Sequence, residues 1–226
     1  MLSAIRTNRS VSKDQKGEGR CRVTVDIIKG YERSADRLIG KFEKIRSNEL
    51  YSAVQHFLPS NPGRVLDIGA GTGRDAAWFV QLGHSVVAVE PVAAFRKAGM
   101  ARHAISGIEW VDDLLPDLST VKSLPHTFDL VTLSAVWHHL NDGQRAAAFG
   151  NIRDVIGEDA TVIMSVRHGA DIAIRQCFDS NIQRTVDLAS AVDLECLFSR
   201  ERESVQFDNL ANGVKWTWMV FRRRSF

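Results

Sequence analysis

Apolar and polar positions along this chain follow two alternating patterns. Some segments are short and almost wholly apolar, as strands buried on both faces of a parallel sheet are. They lie at residues 64–69, 85–90, 128–136 and 160–166, with a weaker one at 108–111. The segments between them carry apolar residues at the spacing of a helix, and they lie at residues 74–82, 92–104, 144–156 and around 182–188. Strands and helices in alternation predict an α/β fold, a doubly wound Rossmann-like sheet with helices on both faces.

The end of the chain carries two further β-rich runs, SVQFDN at 204–209 and VKWTWMVFRR at 214–223, separated by Ala211-Asn212-Gly213. Asn-Gly between two such runs is typical of a hairpin, so the C-terminal strand is predicted to be antiparallel to its neighbour. The second run alternates large apolar residues on one face, which predicts packing on helices. We therefore expect a seven-stranded, mostly parallel sheet with an antiparallel C-terminal strand.

The N-terminal part of the chain predicts a tail and a helical cap. Residues 1–20 carry five basic against two acidic side chains and no apolar signal core, so residues 1–29 are predicted to be a mobile polar tail rather than a targeting peptide. Residues 31–57 have helical periodicity and are followed by Pro59 and Pro62-Gly63. We expect one domain over residues 30–226, with residues 30–58 forming its N-terminal cap.

Composition narrows the class of protein. The chain has 226 residues, with 29 basic and 27 acidic side chains and a net charge of +2, which disfavours a dedicated nucleic-acid binder. Its apolar runs are too short to cross a bilayer, so no membrane partner is expected. Cys21, Cys177 and Cys196 are widely spaced without a CxxC pair, which predicts neither disulfides nor a metal site and favours a cytoplasmic location. Oligomeric state stays open.

The candidate ligand site lies in the segment RVLDIGAGTGRD, residues 64–75. Three glycines, Gly69, Gly71 and Gly73, follow the first predicted strand and open the first predicted helix, where bare backbone N–H groups meet a ligand. About twenty residues on, Glu90 ends the second strand, where a carboxylate accepts hydrogen bonds from ribose hydroxyls. The spacing G-x-G-x-G and the preceding Asp67 disfavour the pyrophosphate of a nicotinamide cofactor, because Asp67 would repel it and suits a cationic group.

These residues resemble the first motif, (D/E)-x-G-x-G-x-G, of the class I S-adenosylmethionine-dependent methyltransferases. The resemblance implies S-adenosyl-L-methionine as cofactor and S-adenosyl-L-homocysteine as product. It also implies a set of cofactor-binding positions, which are Asp67, Gly69, Ala70, Gly71, Gly73, Arg74, Asp75, Glu90, Pro91, Asp112, Asp113, Leu114, Ser134, Ala135 and Trp137. Which of Asp112 and Asp113 meets adenine stays open, and Trp137 either walls the pocket or packs in the core.

The segment SAVWHHL, residues 134–140, bears on the acceptor. It lacks the Asn/Asp-Pro-Pro-aromatic motif of enzymes that methylate the amino groups of nucleic acid bases. A His-Leu pair at this place is frequent in small-molecule enzymes of the family, and His139 is accordingly either a general base or a residue that orients the loop. Candidate substrate contacts are Tyr31, His138, Arg167 and His168.

The predicted function is therefore methyl transfer from S-adenosylmethionine to a small-molecule acceptor, with no metal required. The alternatives are a non-catalytic S-adenosylmethionine-binding module and a protein or tRNA methyltransferase, since fold alone does not fix chemistry.

Overall fold

A single seven-stranded sheet carries the fold. The computed structural model describes residues 14–104, 107–169 and 177–224, with side chains from residue 24 onward. In chain order the strands are β1 (Arg64–Ile68), β2 (Ser85–Val89), β3 (Ile108–Val111), β4 (Phe128–Leu133), β5 (Ile156–His168), β6 (Leu194–Glu203) and β7 (Lys215–Arg223). They are arranged in the order β3-β2-β1-β4-β5-β7-β6. Only β7 among them runs antiparallel to its neighbours β5 and β6, which confirms the predicted fold class.

The central strands are buried on both faces, as their apolar runs predict. In β1, Val65 packs on one side of the sheet together with Phe79, whereas Leu66 and Ile68 pack on the other side together with Phe149. Successive side chains of a strand point to opposite faces, so a run without polar residues needs a cover on each face. Helices supply both covers.

The helices, in chain order, are α1 (Asp14–Arg33), α2 (Ala35–Glu43), α3 (Ser47–Leu50), α4 (Arg74–Gln81), α5 (Ala93–Arg102), α6 (Asp142–Val155), α7 (Ile182–Ser190) and α8 (Phe207–Ala211). Helix α1 begins inside the range 1–29, where a mobile tail is predicted. Residues 14–29 of that range are helical, and Ile27 lies in a buried position. Residues 1–13 lie outside the described residues. The predicted cap over 30–58 consists of the end of α1, of α2 and α3, and of a 3-10 turn at Gln55–Phe57.

The structure differs from the predictions at the end of the fourth strand and in the strand that pairs with β7. The fourth strand ends at Leu133 instead of residue 136, because Ala135 has a positive φ of 60° that turns the chain out of the sheet. The partner of β7 is residues 194–203 instead of SVQFDN, and residues 207–211 form α8. Strand β6 is an edge strand with an exposed, charged end, and this is why its sequence carries no apolar signal.

The strand order places two loops side by side. The chain runs from β1 outward to β2 and β3 and then returns to β4 on the other side of β1, so the order reverses between β1 and β4. Ligands of doubly wound sheets bind at such a reversal, beyond the carboxyl ends of the strands. Within the described residues, no helix combines the length and the apolar character needed to cross a membrane.

Candidate functional site

The loop after β1 contains three glycines with three different surroundings. Gly69, Gly71 and Gly73 all have a positive φ, of 72°, 57° and 77°. A Cβ on Gly69 would lie 2.4 Å from Val136 Cγ2, and one on Gly73 would lie 2.6 Å from the ring of Trp110. Gly71 has no such close neighbour and, like Gly69, borders a cavity. The two outer glycines are therefore required by packing, and Gly71 is the one that leaves room for a ligand.

Glu90 follows β2 directly and faces this loop. Its carboxylate accepts hydrogen bonds from the backbone N–H groups of Gly71 and Val92, both at 2.8 Å. Glu90 is 5% exposed, and burial raises its pKa from 4.5 to about 7 although the two backbone hydrogen bonds lower it. Each carboxylate oxygen retains a lone pair that can accept a hydroxyl.

Asp67 lies in β1 below the glycine loop and is 2% exposed. Its Oδ1 accepts a hydrogen bond from Thr132 Oγ1 at 2.8 Å, while its Oδ2 is buried with no hydrogen-bond partner among the described residues. Burial first and the nearby charge of Asp75 second raise the pKa of Asp67 to about 7. A half-satisfied carboxyl group at the cavity wall is suited to receive a cationic group.

The start of α4 is fixed by a charged cluster. The Asp75 carboxylate accepts from Ser47 Oγ at 2.6 Å and from two nitrogens of Arg74 at 2.8 and 2.7 Å. Arg74 also donates to the carbonyl oxygen of Phe42 at 3.1 Å. The cluster ties the helical cap to the glycine loop. Arg74 and Asp75, both predicted as cofactor-binding positions, therefore line the cavity and also hold its walls together.

The two acidic residues after β3 occupy different environments. Asp113 is buried in the cavity wall and accepts hydrogen bonds from the backbone N–H groups of Leu114, Thr120 and Val121 at 2.8, 2.8 and 3.0 Å. The Asp112 side chain is 67% exposed, pairs with an arginine of α5 and does not line the cavity. Asp113 therefore shapes the loop that follows β3.

The loop after β4 supplies further residues of the cavity wall. Ser134 and Ala135 line the cavity, and the Ala135 N–H donates to Ser165 Oγ at 3.0 Å. His139 Nε2 lies 2.8 Å from the hydroxyl of Tyr31, which comes from α1, and the two rings meet edge to face at 5.5 Å. A predicted substrate contact and the predicted base thus form one hydrogen-bonded pair.

All these groups face a single cavity of about 460 Å³. The glycine loop, Glu90 and Asp113 line this cavity together with the Tyr31–His139 pair. A volume of this size is typical of sites for small ligands, and the mixture of apolar walls with a few convergent polar groups is typical as well.

The sequence profile of a family described as "Methyltransferase domain" matches residues 42–222. The match covers the glycine loop, Glu90 and all seven strands except the last residue of β7. The chain belongs to the methyltransferase domain family. This confirms the resemblance found in the sequence.

A relative of this chain is also named as a methyltransferase. An uncharacterized methyltransferase of Oceanobacillus iheyensis is 22% identical over 138 residues, which are 61% of this chain and 59% of the relative. The chain thus matches about three fifths of that relative's length.

Two solved structures show the same fold. A 1,6-didemethyltoxoflavin-N1-methyltransferase of Burkholderia thailandensis, with bound 1,6-didemethyltoxoflavin and S-adenosylhomocysteine, has a TM-score of 0.71 at 18% identity and covers 97% of this chain and 94% of its own. The N-methyltransferase NodS of Bradyrhizobium japonicum, in complex with S-adenosylhomocysteine, has a TM-score of 0.60 at 13% identity, with coverage of 79% and 87%.

Most of the residues predicted from the sequence border the cavity. On the cofactor side they are Asp67, Gly69, Ala70, Gly71, Arg74, Asp75, Glu90, Pro91, Asp113, Leu114, Ser134 and Ala135, and on the acceptor side Tyr31, His138, His139 and Arg167. What each of them binds stays a prediction.

Four predicted positions do not border the cavity. Trp137 is fully buried, donates from Nε1 to Thr185 Oγ1 at 3.3 Å and packs on Phe149, so it is a core residue. Gly73 accommodates the Trp110 ring, and Asp112 lies outside the cavity. His168 Nε2 lies 2.8 Å from Thr217 Oγ1, away from the main cavity. Strand β5 continues to His168, and successive side chains of a strand point to opposite faces, so the His168 side chain points away from the face that Arg167 occupies.

The structure adds wall residues that the sequence analysis did not identify as site residues. Trp216 and Trp218 of β7 line the cavity, as do Phe42 of α2 and Ser165 of β5. The alternation in β7 predicts a buried face, but it cannot distinguish packing on helices from facing a cavity. That distinction depends on where α2 and α8 lie above the sheet.

Proposed function

We propose that this chain transfers a methyl group from S-adenosylmethionine to a small-molecule acceptor. The observation that carries the proposal is that the Gly71–Glu90 loop and the Tyr31–His139 pair line one and the same cavity. Family membership supports the transfer of a methyl group. A small acceptor is supported by the 1,6-didemethyltoxoflavin bound to the Burkholderia thailandensis enzyme of the same fold.

The groups at the loop end fit an S-adenosyl ligand. Glu90 presents two buried oxygens suited to ribose hydroxyls, and Gly71 leaves the backbone open beside them. The unpartnered Asp67 Oδ2 provides an acceptor for an ammonium group. We assign the adenine to the wall formed by Asp113 and Leu114, because Asp112 lies outside the cavity.

The remaining chemistry is positioning. When bound, S-adenosylmethionine supplies an already activated methyl group, so the protein has to align the acceptor and exclude water. Of the two roles predicted for His139, the hydrogen bond to Tyr31 supports orientation: the imidazole fixes the hydroxyl at the acceptor end of the cavity. Arg167, in the same wall, offers a cation to an acidic group of an acceptor.

The test begins with binding. Isothermal titration calorimetry with S-adenosylhomocysteine compares the wild type with Glu90→Gln and with Glu158→Gln, an exposed glutamate on β5. Loss of charge-assisted hydrogen bonds to a ribose weakens binding by about 1.5–3 kcal/mol, or roughly 10–150-fold, in Glu90→Gln and leaves the control unchanged. Equal affinity in all three proteins would contradict the assigned site.

The second step separates an enzyme from a non-catalytic binding module. The wild type is incubated with S-adenosylmethionine and a panel of small heteroaromatic, phenolic and amine acceptors, and the formation of S-adenosylhomocysteine is measured. Product that depends on one acceptor and is lost in Glu90→Gln supports the proposal. Tight binding without turnover on any small acceptor would favour the module, and turnover on RNA or protein alone would favour the macromolecular alternative.

A further inference from the structure

Three side chains with metal-binding atoms converge beside the main cavity. One ligand atom from each of His138, His139 and Cys177 lies within 4.8 Å of the other two. His138 is buried, and the other two residues are partly exposed. His138 and His139 line the main cavity, whereas His138 and Cys177 also line a second cavity of about 310 Å³. The cluster therefore stands in the wall between two openings.

A buried arginine holds the two segments of this cluster together. The N–H of Phe178 donates to the carbonyl oxygen of His138 at 2.7 Å. The guanidinium of Arg145, itself 2% exposed, donates to the carbonyl oxygens of Trp137, Phe178 and Asp179 at 3.4, 3.3 and 2.8 Å. Each segment is thus bonded both to the other and to α6. The backbone that carries the three donors is fixed before any ligand arrives.

Arg145 is itself well anchored. Its guanidinium donates to Ser180 Oγ at 2.6 Å and to the Asp142 carboxylate at 3.1 Å. Asn141 and Gln144 form reciprocal side-chain-to-backbone hydrogen bonds at the start of α6, each at 3.0 Å, which fix the first turn of the helix. A frame of this kind reduces the conformational entropy lost when donors are brought to a metal.

We propose that His138, His139 and Cys177 bind one zinc ion and leave one coordination position open. Two imidazole nitrogens and one thiolate form a donor set that zinc favours, and three protein ligands with an open position are the arrangement of reactive zinc sites. Tetrahedral zinc requires donor separations of roughly 3.3–3.8 Å. The donor separations, at most 4.8 Å, therefore exceed these tetrahedral values by no more than about 1.5 Å.

The hydrogen bond between Tyr31 and His139 is compatible with this site. Imidazole has two nitrogens, so His139 can bind the metal through one and donate to the Tyr31 hydroxyl through the other. Metal-bound histidines commonly donate their second N–H in this way. With zinc bound, His139 is a ligand and not a base, which agrees with the orienting role proposed above.

The proposal departs from the expectation that no metal site exists. That expectation rests on the lack of a CxxC pair. Cys177 instead lies 38 residues after His139 along the chain, and the two segments are joined by the Phe178–His138 hydrogen bond and by the contacts of Arg145. Zinc binding is independent of the proposed methyl transfer, because it can be measured without an S-adenosyl ligand or an acceptor.

The experiment uses the full chain, freed of any affinity tag and stripped with EDTA. Zinc is titrated in competition with a chromophoric chelator, and cobalt is titrated as a spectroscopic substitute. The wild type is compared with Cys177→Ser and with Cys196→Ser, the latter a second partly buried cysteine outside the cluster. A histidine pair, His138→Gln and His126→Gln, supplies the same comparison for imidazole, since His126 lines neither of the two cavities. Thermal unfolding of every variant without metal separates lost ligands from lost structure.

We expect one zinc per chain in the wild type and in both controls. In Cys177→Ser and His138→Gln the affinity falls by at least about tenfold, as expected when one of three ligands is removed. The cobalt complex of Cys177→Ser also loses the sulfur-to-metal charge-transfer band. Less than one zinc per wild-type chain, or equal affinity in Cys177→Ser and Cys196→Ser, would overturn the proposal whatever the outcome of the S-adenosylhomocysteine titration.

Discussion

The buried Asp67 carboxyl group makes the stability of the ligand-free protein depend on pH. In the unfolded chain this group has a pKa near 3.8, whereas in the folded protein burial and the charge of Asp75 raise its pKa to about 7. The folded state therefore binds the proton more tightly than the unfolded state does. Its stabilising contribution is complete below pH 3.8 and is lost as the pH rises through 7.

The size of the effect follows from the shift in pKa. At about 1.36 kcal/mol per pKa unit, the full loss is about 4 kcal/mol, and about 2–3 kcal/mol of it falls between about pH 5 and pH 8. The pKa of Glu90 is also raised to about 7, so Glu90 adds its own loss of stability as the pH rises. That loss is the same in the wild type and in the variant Asp67→Asn, and it cancels when the two are compared. The Asp67→Asn variant keeps a polar side chain near Thr132 but does not titrate.

Urea unfolding at both pH values measures this difference. We expect the free energy of unfolding of the wild type to fall between pH 5 and pH 8 by about 2–3 kcal/mol more than that of Asp67→Asn. The exposed Asp117→Asn serves as the control and should follow the wild type. If Asp67→Asn and the wild type lose the same free energy over this range, the Asp67 carboxyl group is ionised in the folded protein and our account of it is wrong.

Three further predictions concern single positions. Gly73→Ala should lower the free energy of unfolding by about 2–4 kcal/mol, because a Cβ at a φ of +77° is strained and would lie 2.6 Å from the Trp110 ring. A loss below about 1 kcal/mol in urea unfolding would contradict the close packing. Trp137→Phe removes the hydrogen bond to Thr185 from the core and should lower the free energy of unfolding by about 1–3 kcal/mol. The affinity for S-adenosylhomocysteine, measured by calorimetry, should stay the same. A tenfold weaker affinity would instead indicate that Trp137 contacts the cofactor. Tyr31→Phe removes only a hydroxyl and should leave the affinity for S-adenosylhomocysteine unchanged. In a steady-state assay kcat/KM for the acceptor should fall by about tenfold or more. An unchanged kcat/KM would exclude the hydroxyl from catalysis.

Where sequence prediction succeeded, the signal is local. Strands β1 and β2 are almost wholly apolar because both faces of the sheet are covered, so their ends are found to within a residue. Edge strand β6 shows the opposite case: its charged residues face water, and the neighbouring Val205 and Phe207 are apolar yet exposed. The prediction placed a strand on those two residues because it took their apolar character as a sign of burial, and both are exposed.

The sequence by itself determines the doubly wound sheet, the glycine loop and Glu90 beyond the ends of β1 and β2, since each depends on residues close together in the chain. Only the tertiary structure decides that Trp137 belongs to the core, that Tyr31 meets His139 across 108 residues, and that Cys177 joins the two histidines. The physical reason is that spacing along a strand or helix fixes the direction of a side chain. What a side chain meets in that direction depends on distant segments brought there by the packing of the whole fold.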